Sequence, residues 1–156
     1  MKKVLIALDY DPTAQKIAED GFALAKAMSA QVVLLHVVAD PVYYSSAMYS
    51  PIMGFGGYMD AEIIQPDIID HLKKTSNDFL EKSKKHLGDD TIEIMVTEGD
   101  VGAAIIAAAK NITANVIVLG SHSRKWLEQI VMGSVTENVL RQTSIPLFII
   151  PTKEQQ

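Results

Sequence analysis

Residues 3–38 read KVLIALDYDPTAQKIAEDGFALAKAMSAQVVLLHVV, and this stretch decides the fold. Its two ends, residues 3–8 and 31–38, are nearly continuous apolar runs, which are typical of strands buried on both faces of a sheet. Between them an apolar stripe at helical spacing predicts a helix over residues 13–29, with Ile17, Phe22, Leu24, Ala25 and Met28 on its buried side. The stretch therefore predicts a strand–helix–strand unit with two parallel strands.

The same alternation runs through the rest of the sequence. The remaining predicted elements are a long amphipathic helix over Ile64–Leu87, a strand over Thr91–Thr97, a helix over Val101–Lys110, a strand over Val116–Leu119, a helix over Gly133–Gln142 and a strand over Leu147–Ile150. Gly88 follows the long helix at the C′ position, where glycine is favoured. Together these elements predict an α/β protein with a single domain over residues 1–156, built on an open five-stranded parallel sheet with helices on both faces.

Composition excludes several classes of function. The chain has 156 residues, a net charge of −5 and no long basic run, so we expect no nucleic-acid partner. The absence of cysteine excludes disulfides, thiol catalysis and cysteine-type zinc sites. No apolar stretch approaches the roughly 18 residues of a membrane span, and the first apolar run is too short for a signal peptide. We therefore expect no membrane contact and a cytoplasmic location.

The common catalytic motifs of α/β proteins are missing from the sequence. Neither a G-x-G-x-x-G fingerprint nor a Walker A loop is present, and the first strand leads instead into ALDYDP at residues 7–12. A G-x-S-x-G elbow and an H-E-x-x-H motif are also missing. We therefore assign no catalytic residue.

Open parallel sheets bind ligands beyond the carboxyl ends of their strands, where the strand order reverses. This rule singles out three loops: one that begins at Asp9, one at residues 36–40, and one that reads LGSHSRKWLEQIVMGSV at residues 119–135. The third loop ends at an apparent helix N-terminus, whose unpaired N–H groups suit an anion such as phosphate. The alternative that Ser134 is only an N-cap, with Glu137 completing a capping box, stays open.

Asp9 and His36 each have a structural interpretation as well. An Asp after a strand is often a turn or cap residue, but Asp11 and Thr13 are better placed for that role, which leaves Asp9 free for a ligand. His36 lies within a strand, which is typical of a packed, hydrogen-bonded histidine, and the histidines are not clustered as metal ligands are.

A set of motifs along the whole chain resembles the ATP-binding universal stress proteins. These motifs are LLHVV at 34–38, TEGDV at 97–101, GSHS at 120–123, GSVTENV at 133–139 and IPLFII at 145–150. The family pattern after the fourth strand is Gly-x2-Gly-x9-Gly-[Ser/Thr], and this chain has Ser123 at the second glycine. The resemblance implies a Rossmann-like fold of the adenine nucleotide alpha hydrolase type.

The resemblance also implies an adenine-nucleotide site, for ATP or AMP, and a role for each matching residue. Asp9 would bind the ribose, and the backbone of Val37 would recognise adenine. Ala7, Leu8, Leu119 and Gly120 would lie around the base and sugar, while Ser123, Gly133, Ser134, Val135 and Thr136 would surround the phosphates, with Mg or Mn bridging them. At Ser123 the chain departs from this pattern: the serine hydroxyl could donate to a phosphate, or the side chain could crowd a triphosphate while still admitting AMP.

The function implied by the resemblance is a stress-response or regulatory module with little or no ATP hydrolysis, because no base is positioned for an attacking water. Family members also commonly form homodimers by antiparallel pairing of the strand at Leu147–Ile150, which is an apolar edge. The segment at residues 42–59, rich in Tyr, Met and Gly, is a candidate lid over the nucleotide, subunit contact or partner-binding surface, and the alternative is a loop folded onto its own domain. An alternative function is a dimeric scaffold that binds no nucleotide and acts through this aromatic segment.

Overall fold

The computed structural model describes residues 1–39, 66–121 and 134–152 of the chain. Its elements are β1 (Lys3–Ala7), α1 (Ala14–Ala27), β2 (Gln31–Ala39), α2 (Pro66–Leu87), β3 (Glu93–Gly99), α3 (Val101–Asn111), β4 (Val116–Gly120), α4 (Ser134–Gln142) and β5 (Leu147–Ile150). Every predicted strand and helix is present, and the described bounds differ from the predicted ones by two residues at most. Residues 64–65 and Gly133, with which two of the predicted helices begin, lie outside the described residues.

The five strands form one parallel sheet in the order β3-β2-β1-β4-β5. The chain moves outward from β1 through β2 to β3, and then crosses to the other side of β1 for β4 and β5. The strand order therefore reverses between β1 and β4, which confirms the predicted open parallel sheet and locates its switch point.

Helices cover both faces of this sheet, as predicted. On one face, side chains such as Val4, Ile6 and Leu34 pack against α1 and α2. On the other face, side chains such as Leu5 and Leu35 pack against α3 and α4. Alternate residues of a strand point to opposite faces, so continuous apolar strands build two separate cores. These are called below the α1/α2 face and the α3/α4 face.

The turns that lead from α1 into β2 and from α3 into β4 have the same geometry. Ser29 and Thr113 each have a φ of +54°, the left-handed conformation in which helices commonly end. The next residue, Ala30 or Ala114, donates its N–H to a carbonyl of the last helical turn at 2.8 or 2.9 Å. Both strands then start beside β1, where the N–H of Gln31 donates to the carbonyl of Lys2 at 2.9 Å.

The long helix α2 ends as predicted. Gly88 has a φ of +73°, and its N–H donates to the carbonyls of Lys84 and Lys85. Among the described helices, none combines the length and the apolar character needed to cross a bilayer.

The two outer strands of the sheet differ in character. The outer strand β5 is apolar, and its Phe148 side chain is 39% exposed. The outer strand β3 carries Glu93 and Glu98, both exposed. Charged side chains protect an edge strand from pairing with another chain, and an apolar edge lacks that protection.

Candidate functional site

The central strand β1 is shorter than both of its neighbours at the carboxyl end of the sheet. Its pairing with β2 stops at Ala7 and Leu35, after which the N–H of Leu8 donates to the carbonyl of Leu35 at 2.8 Å. Strand β2 continues to Ala39 beside β3, and β4 continues to Gly120 beside β5. A crevice therefore opens above the end of β1, between β2 and β4, at the switch point of the fold.

Asp9 lies at the mouth of this crevice, directly after Leu8. One carboxylate oxygen, Oδ1, accepts a hydrogen bond from the N–H of Asp11 at 3.0 Å. Asp11 in turn accepts hydrogen bonds from the N–H and the hydroxyl of Thr13, at 2.9 and 2.6 Å. Asp9 is thus itself a turn residue, as its alternative interpretation has it, and Asp11 holds the next turn before α1. Thr13 is the N-cap residue of α1 but makes no side-chain capping bond. The second oxygen of Asp9 makes no hydrogen bond with another described residue.

The pKa of the Asp9 carboxyl is raised above its ordinary value of 3.8, chiefly because the surrounding protein desolvates it. The hydrogen bond from the Asp11 N–H opposes this rise, and the charge of the Asp11 carboxylate adds to it. Since Asp9 remains exposed as a residue, solvent screening keeps the associated energy small. A partly desolvated carboxylate with one unused oxygen is suited to accept hydrogen bonds from a hydroxyl ligand.

Val37 borders the crevice through its backbone. The N–H and C=O groups of successive strand residues point alternately to the two sides, and the carbonyl of Leu35 points toward β1. The same groups of Val37 therefore point to the side where β1 has already ended. The side chain of Val37 is buried on the α3/α4 face.

Three further predicted residues, Ala7, Leu8 and Leu119, lie at the strand ends that border the crevice. The side chain of Leu8 is buried in the core on the α1/α2 face, so only its backbone faces the end of β1. Leu119 is buried on the opposite face, and Ala7 packs against that same core. These residues shape the floor of the crevice mainly through their backbone.

Gly120 ends β4, and close packing explains why it is a glycine. A Cβ at this position would lie 2.5 Å from Cδ1 of Ile17 and 2.9 Å from Cγ2 of Thr152. Helix α1 and the segment after β5 therefore pack directly against the end of β4. The motif alone did not indicate this role, although Ile17 belongs to the predicted apolar stripe of α1.

Thr136 connects α4 to the end of β4. It is buried, and its hydroxyl donates to the carbonyl of Gly120 at 2.8 Å. This bond holds the first turn of α4 beside the crevice, where the unpaired N–H groups of that turn and the positive end of the helix dipole suit an anion. Because the Thr136 hydroxyl proton is already used, its contribution to such a site is its backbone N–H.

The capping-box alternative for α4 differs from what the structure shows. The helix begins at Ser134, so Ser134 lies in the first turn and is exposed there. The carboxylate of Glu137 accepts a hydrogen bond from Arg141 at 2.6 Å instead of reaching back to the helix start. Val135 is half-buried against the core of the α3/α4 face.

Sequence reasoning missed the hydrogen bonds that join the ends of β4 and β5. The N–H of Ser121 donates to the carbonyl of Ile150 at 2.9 Å. The hydroxyl of Ser121 accepts from the N–H of Thr152 at 3.0 Å and lies 3.2 Å from the Thr152 hydroxyl. The available signal in the sequence was a hydroxyl residue shortly after each strand, Ser121 one residue after β4 and Thr152 two residues after β5.

A cluster of rings lies on the α1/α2 face below Asp9. Tyr10 lies between His36 and Phe79, with ring centroids 4.6 and 5.0 Å away. The Tyr10 hydroxyl is 2.9 Å from that of Ser76, which itself donates to the carbonyl of Leu72 at 2.7 Å. Tyr10 is therefore the donor to Ser76, and it fastens the Asp9 loop to α2.

His36 is only 4% exposed, and its Nδ1 lies 2.7 Å from the carbonyl oxygen of Leu8. This confirms the interpretation of His36 as a packed, hydrogen-bonded residue. Burial lowers its pKa below the ordinary value, while the Leu8 carbonyl and the Asp9 charge oppose that shift. His36 is therefore neutral at physiological pH.

Two predicted phosphate-site residues, Ser123 and Gly133, lie outside the described residues, as does the aromatic segment at 42–59. In the part of the chain that the structure describes, no group of three or more His, Asp or Glu residues is arranged to hold a metal ion. The described portion of the site is thus the β1 end, the β2 edge and the first turn of α4.

Comparison with known proteins connects this arrangement to a family. A universal stress protein from Methanocaldococcus jannaschii, MJ0577, is 26% identical over 155 residues, which cover 97% of this chain and 96% of that protein. The solved structure of MJ0577 matches with a TM-score of 0.73 at 24% identity, covering 99% of this chain and 98% of that one. The two folds therefore agree over nearly their whole length.

Two other solved structures with this fold contain nucleotides. A universal stress protein in complex with cAMP matches with a TM-score of 0.61 at 18% identity, covering 97% of this chain and 98% of that one. The universal stress protein of Archaeoglobus fulgidus in complex with dAMP matches with a TM-score of 0.62 at 16% identity, covering 96% and 98%. The family model described as "Universal stress protein family" matches residues 1–151. The chain therefore belongs to the universal stress protein family.

Proposed function

We propose that this protein binds an adenine nucleotide, AMP or ATP, in the crevice above β1, and that it acts as a stress-response or regulatory module with little or no hydrolysis. The observation that carries the proposal is the convergence of three groups at one switch point. These groups are the unused oxygen of Asp9, the backbone edge of Val37 and the first turn of α4.

Each group matches one part of the nucleotide. The N–H and C=O of Val37 form an adjacent donor and acceptor, and adenine presents an acceptor ring nitrogen beside its amino donor. The second oxygen of Asp9 can accept a hydrogen bond from a ribose hydroxyl. The N–H groups of Ser134, Val135 and Thr136 can donate to phosphate oxygens.

The number of phosphates depends in this proposal on Ser123, which stands where the family pattern has glycine. A bound Mg or Mn ion would sit on the phosphates and neutralise their charge. Ser123 and Gly133 would complete the phosphate cradle from the loop before α4.

The nucleotides in two structural neighbours support the choice of an adenine compound. One neighbour is described in complex with cAMP and another with dAMP, and both share the fold of this chain. The base is common to both ligands, so the proposal rests on recognition of adenine more than on a particular phosphate chain.

We also propose that two copies associate through antiparallel pairing of β5. This strand lies at the edge of the sheet, and its Phe148 side chain is exposed. Phe148→Lys should convert a dimer to a monomer in light scattering, with nucleotide binding retained. A dimer of unchanged stability would contradict this interface.

The test of the proposed function is to release ligands from freshly purified protein and identify them by mass spectrometry. Recovered AMP or ATP, together with a rise in Tm on adding either nucleotide, supports the proposal. If neither nucleotide is recovered and neither raises Tm, the nucleotide function fails and the dimeric scaffold replaces it. GMP is the matched control, because it lacks the amino donor at the position where adenine has one.

A further inference from the structure

The hydrogen-bond ladder between β1 and β2 lacks the next bond that a regular parallel pair of strands would form. In a parallel pair, the N–H of Leu8 bonds the carbonyl of Leu35, and the regular next bond runs from the N–H of Val37 to the carbonyl of Leu8. The first of these bonds is formed at 2.8 Å, but among the described residues the second is not, and pairing ends at Ala7 and Leu35. The end of the ladder needs a cause, because both chain segments are present at this point.

The carbonyl of Leu8 has a different partner. Nδ1 of His36 lies 2.7 Å from it. A carbonyl oxygen can only accept a hydrogen bond, so Nδ1 must be the nitrogen that carries the proton. Since burial keeps the pKa of His36 low, the ring is neutral and its single proton is committed to Leu8.

The direction of this bond matters. The His36 ring lies on the α1/α2 face, where Tyr10 and Phe79 hold it at centroid distances of 4.6 and 6.0 Å. His36 therefore approaches the Leu8 carbonyl from the α1/α2 face, whereas Val37 would donate to it from the neighbouring strand within the sheet. The hydrogen bond from Tyr10 to Ser76 of α2 keeps the ring cluster in place.

We infer that His36 is a positioning residue that ends the β1–β2 ladder and thereby keeps the N–H of Val37 available for a ligand in the crevice. The identity of the ligand as an adenine nucleotide rests on the proposed function, but the action of His36 on the backbone does not. Packing alone would be satisfied by a ring without nitrogen. The buried Nδ1–H of His36 competes with the N–H of Val37 for the carbonyl of Leu8.

Two substitutions separate the hydrogen bond from the packing. His36→Phe keeps a ring against Tyr10 and Phe79 but has no donor. His36→Asn loses the ring but keeps an amide N–H at nearly the position of Nδ1. We expect the first variant to release the Leu8 carbonyl to Val37, and the second to preserve the native arrangement.

The primary readout is amide hydrogen exchange at Val37 in the ligand-free protein, followed by NMR. In the wild type, Val37 should exchange at least about tenfold faster than Leu35, whose N–H lies within the ladder. In His36→Phe, exchange at Val37 should slow toward that of Leu35, and the Kd for AMP should rise about tenfold, as loss of one hydrogen bond predicts. His36→Asn should stay within about twofold of wild type in both measurements.

The inference is overturned if Val37 is as protected as Leu35 in the ligand-free wild type, and this comparison does not require any variant to fold. It is also overturned if His36→Phe folds and leaves exchange at Val37 unchanged. Should the exchange pattern appear as expected while AMP and ATP fail to bind, the proposed function is wrong and the role of His36 in the backbone stands.

Discussion

The amino and carboxyl ends of the same sheet are built in contrasting ways. At the amino end, β2 and β4 both start level with β1, and the backbone N–H of Lys3 donates to the side chain of Asn115 at 2.9 Å. At the carboxyl end, β1 stops while β2 and β4 continue. The first end is closed by backbone hydrogen bonds on both sides of β1, while at the second the Val37 N–H has no carbonyl of the β1 segment as its partner among the described residues.

This difference shows how one fold separates stability from binding. The closed end uses two turns of equal geometry, and a backbone hydrogen bond to β1 or to the residue before it follows each turn. The open end gathers a partly desolvated carboxylate, a free strand edge and a helix N-terminus. Substitutions at the open end should therefore change ligand binding, while those at the closed end should change only stability.

The largest effect is expected for Gly120→Ala at the open end. The added methyl group would overlap Ile17 and Thr152, so the free energy of unfolding should fall by about 2 kcal/mol. Chemical denaturation measures the loss. Ile17→Val removes the atom that lies nearest, so the double variant should lose less than the sum of the two single changes. Strict additivity would show that the contact is not the cause.

Thr136→Val should have the next largest effect. It removes the hydroxyl that donates to the carbonyl of Gly120 and leaves that carbonyl without this partner, at a cost of about 1–2 kcal/mol. Because the first turn of α4 loses its attachment to β4, AMP affinity measured by calorimetry should fall as well. Thr136→Ser keeps the hydroxyl and serves as the control, so a loss of equal size in that variant would count against the hydrogen bond.

Asp9→Asn should change binding and stability in opposite directions. The turn survives because an amide oxygen can still accept from the N–H of Asp11. Affinity for AMP should fall about tenfold, since the charged acceptor for the ribose is lost. The ligand-free variant should be more stable at neutral pH by a few tenths of a kcal/mol, a small value because solvent screens Asp9.

The stability gained by Asp9→Asn should depend on pH, because the pKa of Asp9 is raised in the folded protein. Above its ordinary value of 3.8 the unfolded carboxyl has already lost its proton while the folded one still holds it, so the wild type loses stability as pH rises through this pKa window. Asp9→Asn has no carboxyl group at this position, so its stability does not fall in this way as pH rises. The stability difference between the two proteins should therefore grow from about pH 3 upward and level off above the folded pKa. A constant difference across this range would contradict the assignment.

The smallest effect on ligand binding is expected at the closed end. Thr113 is a β-branched residue with a φ of +54°, so Thr113→Gly should stabilise the fold by up to about 1 kcal/mol. Ser29→Gly, at the equivalent turn, should gain less because serine is not branched. Neither change should alter AMP affinity, and an altered affinity would break the separation between the two ends.

The fold was predictable because buried parallel strands leave long apolar runs, and the helix between 13 and 29 carries a clear apolar stripe. The alternation of elements indicated parallel strands but not their order, and the family resemblance alone implied that Val37 and Asp9 belong to one site. The ring cluster did not follow, because Tyr10 and Phe79 lie far apart in sequence and neither belongs to a motif. The packing reason for Gly120 was also hidden, since it depends on the distance to Ile17. The role of Ser123 stays a prediction.

The unlike outer strands have a consequence for assembly. If β5 pairs with β5 of a second copy, the joined sheet ends on both sides in β3. There the remaining edges carry the exposed charged side chains of Glu93 and Glu98, the latter 3.5 Å from Lys73, and charged edges oppose further pairing. The interaction would close at two copies instead of propagating into a fibre. A sheet with one apolar edge and one acidic edge would thus assemble no further than a dimer.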